Sequence, residues 1–178
     1  MEKQIKTTLL DFAILGLLQE NPLSGYRIRK QFEESALGNY SSSPGTIYPA
    51  LKRLEKFGLV EKPVESGKTN PHFLVTPKGI SILKDWLLKP IEKKEVEKYT
   101  DALLLKFAFM ETLTDKKQKI AFLTSFRDLQ KMYIQDLQEY YNKEAHDMPL
   151  HGRLALLHGI DTNKATLKWC KKALTQLI

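Results

Sequence analysis

One predicted helix, residues 44–57 in the stretch SSSPGTIYPALKRLEKFGLVE, carries hydroxyl groups, an aromatic ring and three cations. At about 100° per residue, its apolar residues fall in a narrow stripe centred on Ile47, which can bury one face against a core. The opposite side and its flanks carry Gly45, Thr46, Tyr48, Pro49, Lys52, Arg53 and Lys56. Hydroxyl donors beside cations bind phosphate oxygens well, so this surface has the chemistry of an anion-binding face.

The start of the same helix adds backbone donors to this surface. Ser43 is a cap residue and Pro44 takes the first helical position, so nearby backbone N–H groups lack intrahelical partners and suit a phosphate. Gly45 has no side chain and lets another backbone approach closely. Proline inside a helix costs ~3 kcal/mol, so Pro49 indicates a late helix start or a bend. A solvated charged helix face without a ligand explains this stretch equally well.

Nucleophilic and metal chemistry have weaker support in the sequence. HExxH and CxxC spacings are absent, and a metal site needs three or four convergent ligands. Cys170 lies beside two lysines that could lower its pKa, but a lone cysteine on a helix is more often a small buried residue. GxSxG, P-loop and GxGxxG sequences are absent as well, so we expect no enzyme, no metal and no cofactor. The histidines expected to have surface or structural roles are His72, His146, His151 and His158.

The composition favours a polyanionic partner in a reducing compartment. The net charge is +7 with a pI of about 9.3, and the single cysteine excludes an internal disulfide. No apolar run approaches the ~20 residues that span a bilayer. The apolar run 9–18 is interrupted by Asp11 and is interpreted as a core helix, not as a signal peptide. We therefore expect a cytoplasmic protein without a membrane segment.

The elements around the basic helix indicate how it is positioned. Periodicity and turn residues predict helices, strands and loops in a fixed order over the first half of the chain. The order is helix 8–19, helix 24–35, helix 44–57, strand 59–64, loop 65–70, strand 72–76 and helix 76–90. This order predicts a winged helix-turn-helix with a two-stranded wing. The small, polar wing tip contains Lys68 and can reach a nucleic-acid backbone or minor groove.

The second half of the chain is predicted to be helical. The charged segment 91–99 is interpreted as a linker, which divides a domain 1–90 from a domain 91–178. Helices are predicted over 101–113, 115–145 and 149–177, and the middle one is ~46 Å long at 1.5 Å per residue. Its apolar face is wider than one partner helix covers, which predicts a homodimer. The predicted dimer seam consists of Phe122, Phe126, Leu129, Tyr133, Leu137 and Tyr140.

Three segments resemble the signature segments of PadR-type transcriptional regulators. They are LLDFAILGLLQENPLSGYRIRKQF, SPGTIYPALKRLEKFGLVE and FLVTPKGISIL, which together cover about the first 90 residues. The resemblance implies a bacterial, homodimeric repressor with a winged-helix domain and a helical dimerisation domain. The chain length and Trp169 resemble the long-tailed branch of that family. The resemblance also implies that Tyr26 faces DNA, together with Thr46, Tyr48, Lys52, Arg53 and, on the wing, Lys68.

The predicted protein is thus mostly α-helical and binds a palindromic double-stranded DNA operator. The resemblance further implies release by a small aromatic or hydrophobic effector, although aromatic stripes are more often core or dimer interface. The alternative is a winged-helix protein-interaction module without DNA binding, since a fold does not fix a function. A steep fall of DNA affinity with salt separates the two hypotheses, because only phosphate neutralisation produces it.

Overall fold

The computed structural model describes residues 6–34, 44–62 and 72–177. The chain divides into two compact units, residues 1–87 and residues 88–178. The division falls close to the boundary that the sequence places after residue 90.

The first unit opens with two helices. Helix α1, Leu9–Glu20, begins after the cap residue Thr8, whose hydroxyl accepts from the backbone N–H of Asp11. Seven of its twelve residues are buried, which agrees with the interpretation of the apolar run 9–18 as a core helix. Helix α2, Gly25–Glu34, follows a two-residue strand β1, Leu23–Ser24.

Helix α3, Pro44–Lys56, is the predicted basic helix, and a glycine follows its end. Gly58 adopts a positive φ of 66°, and the N–H of Leu59 donates to the carbonyl of Leu54 at 2.9 Å. This six-to-one bond is the Schellman arrangement that ends many helices.

A small antiparallel sheet follows α3, and it has one strand more than the sequence predicts. Strands β2, Val60–Glu61, and β3, His72–Val75, pair as expected, but β1 pairs with the other edge of β3. The predicted pair β2–β3 is therefore present, and β1 extends it to a three-stranded sheet in the order β1-β3-β2. A two-residue strand has no periodicity of its own, and only its pairing with β3 defines β1.

Helix α4, Pro77–Leu88, closes the first unit against the end of α3. Thr76 caps α4 by accepting from the N–H of Gly79 at 3.1 Å and donates its own hydroxyl to the carbonyl of Gly58 at 2.7 Å. A Cβ on Gly79 would lie 2.2 Å from the carbonyl oxygen of Leu59. The absence of a side chain at this position is therefore what allows α4 to approach the chain so closely.

The second unit contains four helices. They are α5, Lys93–Lys98, α6, Thr100–Leu113, α7, Lys116–Glu144, and α8, Leu150–Leu177. The interpretation of residues 91–99 as a linker is wrong for most of that segment. Helix α5 has a capping box of Glu92 and Glu95 and buries Val96. Ion pairs join its Lys93 to Asp136 on α7 and its Glu95 to the buried Lys106 on α6, so long-range contacts fold a segment whose composition is that of a linker.

The core of the second unit is a cluster of aromatic rings between α6, α7 and α8. Trp169 meets Phe107 at 5.6 Å and Phe126 at 6.3 Å in edge-to-face contacts, and Phe122 contacts both phenylalanines. Phe126 is fully buried and Phe122 is 8% exposed within the single subunit. These two residues of the predicted dimer seam therefore serve the core of their own subunit, whereas Tyr140 at the far end of the seam is 53% exposed.

Across residues 6–34, 44–62 and 72–177, no helix combines the length and the hydropathy that a bilayer crossing requires.

Candidate nucleic-acid interface

Helix α3 separates its buried and exposed residues sharply. Ile47, Ala50, Leu51 and Leu54 are each at most 1% exposed and form the predicted core-facing stripe. On the outer side, Gly45, Thr46, Tyr48, Pro49, Lys52 and Lys56 are exposed. In the part of the chain that the structure describes, Lys52 and Lys56 have no acidic residue within ion-pair distance, so their charges are available to an external anion.

Two tyrosines extend this surface from α3 to α2. Tyr48 is 47% exposed and its ring covers the start of α2, where a Cβ on Gly25 would come within 2.8 Å of Tyr48 Cε1. Tyr26 is 50% exposed, and the guanidinium of Arg29 lies over its ring at 5.5 Å. Cation–π contact holds such a ring in place at an exposed site. The two phenol groups therefore stand at the corner between α2 and α3, beside the cations of α3.

Arg53 differs from the other cations of α3 because it has an internal partner. One terminal nitrogen of its guanidinium lies 2.5 Å from Oδ1 of Asp11, which is 1% exposed. The Arg53 side chain itself remains 37% exposed. The same side chain therefore contributes to the packing of α3 on α1 and reaches the outer surface.

Pro49 lies inside a continuous helix, so the predicted late start of α3 is wrong. Proline has no N–H and cannot donate to the carbonyl of Gly45 four residues earlier. Pro49 is exposed, so the interruption faces solvent and leaves the buried stripe intact. The missing helix hydrogen bond therefore lies on the exposed side of α3. Packing gives no reason for a proline at this position, whereas a ligand-binding surface would.

Two predicted residues of this surface, Ser43 and Lys68, lie outside the described residues and stay predictions from the sequence. Two further residues at this surface escaped the sequence analysis: Arg29, three residues after Tyr26 on α2, and Asp11, the acid inside the apolar run of α1. The sequence contains a signal for each of them. Arg29 lies three positions after Tyr26, and residues at this spacing are neighbours on a helix. Asp11 lies inside an apolar run, and a buried acid requires a partner.

Among the described residues, the histidines and Cys170 do not come together as a metal site or a nucleophilic site. The four histidines are exposed, and His146 pairs only with its exposed neighbour Asp147 at 3.1 Å. In the described ranges, no three acidic, histidine or cysteine side chains converge as a metal site. Cys170 is buried, and this burial raises its pKa to about 11, which keeps the thiol protonated and unreactive at neutral pH.

Comparison with known proteins identifies the family. Residues 14–85 match the model of the transcriptional regulator PadR-like family, and residues 100–177 match that of the virulence activator alpha C-terminal region. The negative transcriptional regulator PadR of Bacillus subtilis is 31% identical over 138 residues, which are 76% of this chain and 74% of that protein. The chain belongs to the PadR family. Because this is a family of transcriptional regulators, the protein is not an enzyme, as predicted.

Solved structures of PadR proteins show the same sequence relationship. The crystal structure of Bacillus subtilis PadR with operator DNA is 28% identical, with 96% of this chain and 100% of that chain covered and a TM-score of 0.42. The complex of the same protein with p-coumaric acid is 28% identical, with 96% and 99% covered and a TM-score of 0.44. Both TM-scores are below 0.5, so the family membership rests on the sequence similarity.

Proposed function

We propose that this PadR-family regulator represses transcription as a cytoplasmic homodimer bound to a palindromic DNA operator. The observation that carries the proposal is the outer face of α3, where Lys52 and Lys56 are exposed beside Tyr48 and Thr46. Cations supply the phosphate attraction that dominates DNA affinity, while hydroxyl groups can reach base edges in the major groove. The related Bacillus subtilis PadR is described as a negative regulator and was crystallised with operator DNA.

The DNA-binding surface in this proposal has a centre and a periphery. Lys52, Tyr48 and Thr46 enter the groove, while Tyr26 and Arg53 contact the backbone at its edges. Ser43, Gly45 and Lys56 contribute at the two ends of α3, and Lys68 contributes from the wing as the sequence predicts. Phosphate contacts fix the position of the protein, and only the base contacts carry sequence information.

The homodimer is supported by apolar surface that one subunit leaves uncovered. Large apolar side chains on α7 and α8 remain about half exposed: Met132, Tyr140, Leu150 and Leu154. In the proposed dimer this surface joins Leu129, Tyr133 and Leu137 of the predicted seam, with Phe122 and Phe126 supporting it from within each subunit. Two recognition helices related by a two-fold axis reach successive major grooves ~34 Å apart, which requires a palindromic operator.

A small aromatic or hydrophobic effector completes the proposal. A relative was crystallised with p-coumaric acid, and the second unit of this chain has the aromatic cluster of Phe107, Phe122, Phe126 and Trp169. An aromatic ligand that binds this unit better in the DNA-free conformation would lower DNA affinity by linkage. The cluster is also the core of the unit, so the effector needs space that opens beside it.

Footprinting on the DNA around the protein's own gene tests the proposal. We expect protection of two half-sites about one helical turn apart, with protection lost when p-coumaric acid is added. Lys52→Ala should weaken protection by tenfold or more, on the order of the 1–3 kcal/mol of a good base contact. Lys84→Ala, which removes an exposed cation from α4, is the matched control and should leave the footprint unchanged.

Two results would contradict the proposal. Equal protection by the Lys52→Ala and native proteins would contradict the use of α3 for DNA. Salt-independent association with a protein partner, without protected DNA, would favour the protein-interaction module instead.

A further inference from the structure

Asp11 is a buried acid whose partners connect two helices of the first unit. Its carboxylate accepts from the N–H of Thr8 at 2.8 Å and from the Thr8 hydroxyl at 2.9 Å, and both donors belong to the start of α1. The third donor is the guanidinium of Arg53 on α3, 42 residues away in the chain. A carboxylate that is 1% exposed requires such partners, because burial of an unpaired charge is strongly unfavourable.

Arg53 has the geometry to bind two anions at once. The guanidinium is planar and presents five N–H donors in a fixed fork, and Asp11 uses one terminal nitrogen. The Arg53 side chain is 37% exposed although Asp11 is buried, so Arg53 also reaches the surface at the flank of α3. A guanidinium held by a buried carboxylate loses little conformational freedom when its outer edge meets a phosphate.

We propose that Asp11 is a positioning residue for DNA binding: it fixes the guanidinium of Arg53 so that the outer edge of the fork binds a backbone phosphate. This inference rests on the proposed DNA-binding role of α3 and adds to it a residue that never touches DNA. The simpler alternative is that Arg53 only neutralises Asp11 and has no contact with the nucleic acid.

A double-mutant cycle separates the two roles of Arg53. Arg53→Gln removes the charge and leaves Asp11 without a cationic partner, so both thermal stability and DNA affinity should fall. Adding Asp11→Asn creates a neutral amide pair and should recover much of the lost stability. It should not recover DNA binding, because the phosphate contact is still missing.

The readout is the salt dependence of affinity for a fluorescent duplex of about 30 base pairs, which is long enough for two half-sites. A duplex of arbitrary sequence suffices, since phosphate contacts are independent of sequence. For Arg53→Gln and for the double variant, the slope of log affinity against log salt should decrease by ~0.9 per subunit. Asp11→Asn alone should keep the native slope, because Arg53 retains its charge, and should lose about threefold to tenfold in affinity, the size of coupling between contacting residues.

Two results would overturn the inference. Native salt slopes in both Arg53→Gln and the double variant would show that the guanidinium meets no phosphate. Equal affinity losses from Asp11→Asn in the native protein and in the Arg53→Gln variant would show that Asp11 acts on the fold and not through Arg53. Thr8→Val is a control for stability, since it removes both hydrogen bonds between the Thr8 hydroxyl and Asp11 and should lower the melting temperature without changing the salt slope.

Two further variants separate this inference from the proposed function. Glu55→Gln removes the ion pair of 3.1 Å between Glu55 on α3 and Lys62 after β2, and it should leave the salt slope unchanged because no phosphate contact is lost. Lys52→Gln should reduce the salt slope if α3 faces DNA at all. A reduced slope in Lys52→Gln with native slopes throughout the Asp11–Arg53 cycle would reject only the positioning role, whereas native slopes everywhere would reject the DNA-binding face itself.

Discussion

Helices α3 and α7 both bury one apolar face, but they leave opposite kinds of surface uncovered. Every apolar residue in the buried stripe of α3 is at most 1% exposed, and its outer side presents cations and hydroxyl groups. Helix α7 buries Phe126 completely and yet leaves Met132 and Tyr140 more than half exposed. Surface chemistry indicates the kind of partner in each case, because exposed cations attract a polyanion and exposed large apolar groups attract another apolar surface.

The comparison also shows how differently the two surfaces depend on the rest of the chain. The face of α3 is complete within one subunit, and its contribution should persist in a monomer. The exposed apolar side chains of α7 contribute to stability only when a second surface buries them.

Placing a carboxylate on the uncovered face of α7 should have the largest effect on function. Tyr140→Glu should dissociate the dimer and weaken operator binding by ~10²-fold, since the second half-site then binds without the advantage of linkage. Sedimentation velocity and fluorescence anisotropy measure the two effects. Gln138→Glu places the same charge on another face of α7 and should leave both unchanged; equal effects of the two variants would contradict the assignment of Tyr140 to an interface.

Truncation at Phe126, which lies in the same seam of α7 as Tyr140 but is covered within the subunit, should reduce stability instead of association. Phe126→Ala removes a fully buried ring that contacts Phe122 and Trp169, and it should cost about 3–5 kcal/mol of unfolding free energy. Urea unfolding monitored by far-ultraviolet circular dichroism measures it. A loss below about 1 kcal/mol would mean that the aromatic cluster is loosely packed and has room for a ligand.

Glycine substitutions should distinguish tight packing in the first unit from open surface in the second. Gly79→Ala would bring a Cβ to 2.2 Å from a backbone oxygen, and overpacking of this kind costs about 1–3 kcal/mol. Gly152→Ala meets no atom within 4 Å among the described residues and should stabilise α8 by roughly 0.5–1 kcal/mol. Thermal melts of the two variants should therefore shift in opposite directions, and a shift in the same direction would contradict the close approach of α4.

The smallest effect concerns Cys170 on α8. Burial raises its pKa to about 11 from an ordinary value of 9.0, so the folded state holds a proton that the unfolded state loses between these values. The contribution of Cys170 to stability is therefore present below about pH 9 and is lost as the pH rises towards 11. Iodoacetamide at about pH 8 should label Cys170 slowly in the native protein and rapidly in denaturant, because only the thiolate reacts. Fast labelling of the native protein, measured by mass spectrometry, would instead support a redox-sensing role for Cys170.

Local signals in the sequence predict most of the elements that carry these surfaces. The caps Thr8, Thr76 and Asp115 and the terminal Gly58 lie where their residue types predict, since each acts on backbone groups only a few positions away. The buried stripe of α3 follows from helical periodicity for the same reason. The segment containing α5 failed this kind of prediction because its composition is charged, and because the buried Val96 and the ion pairs of α5 with Asp136 and Lys106 depend on residues far along the chain.

Local patterns along the chain thus predict every described helix except α5, together with the cationic face of α3 and the family resemblance that the comparisons confirm. The packed fold was needed to identify the residues of β1, the aromatic residues in the core of the subunit, and Arg53 as the cation of α3 that has an internal partner. The physical reason is distance along the chain. Periodicity and caps act over three or four residues, whereas the Arg53–Asp11 pair joins positions 42 apart and exists only after α3 has packed on α1.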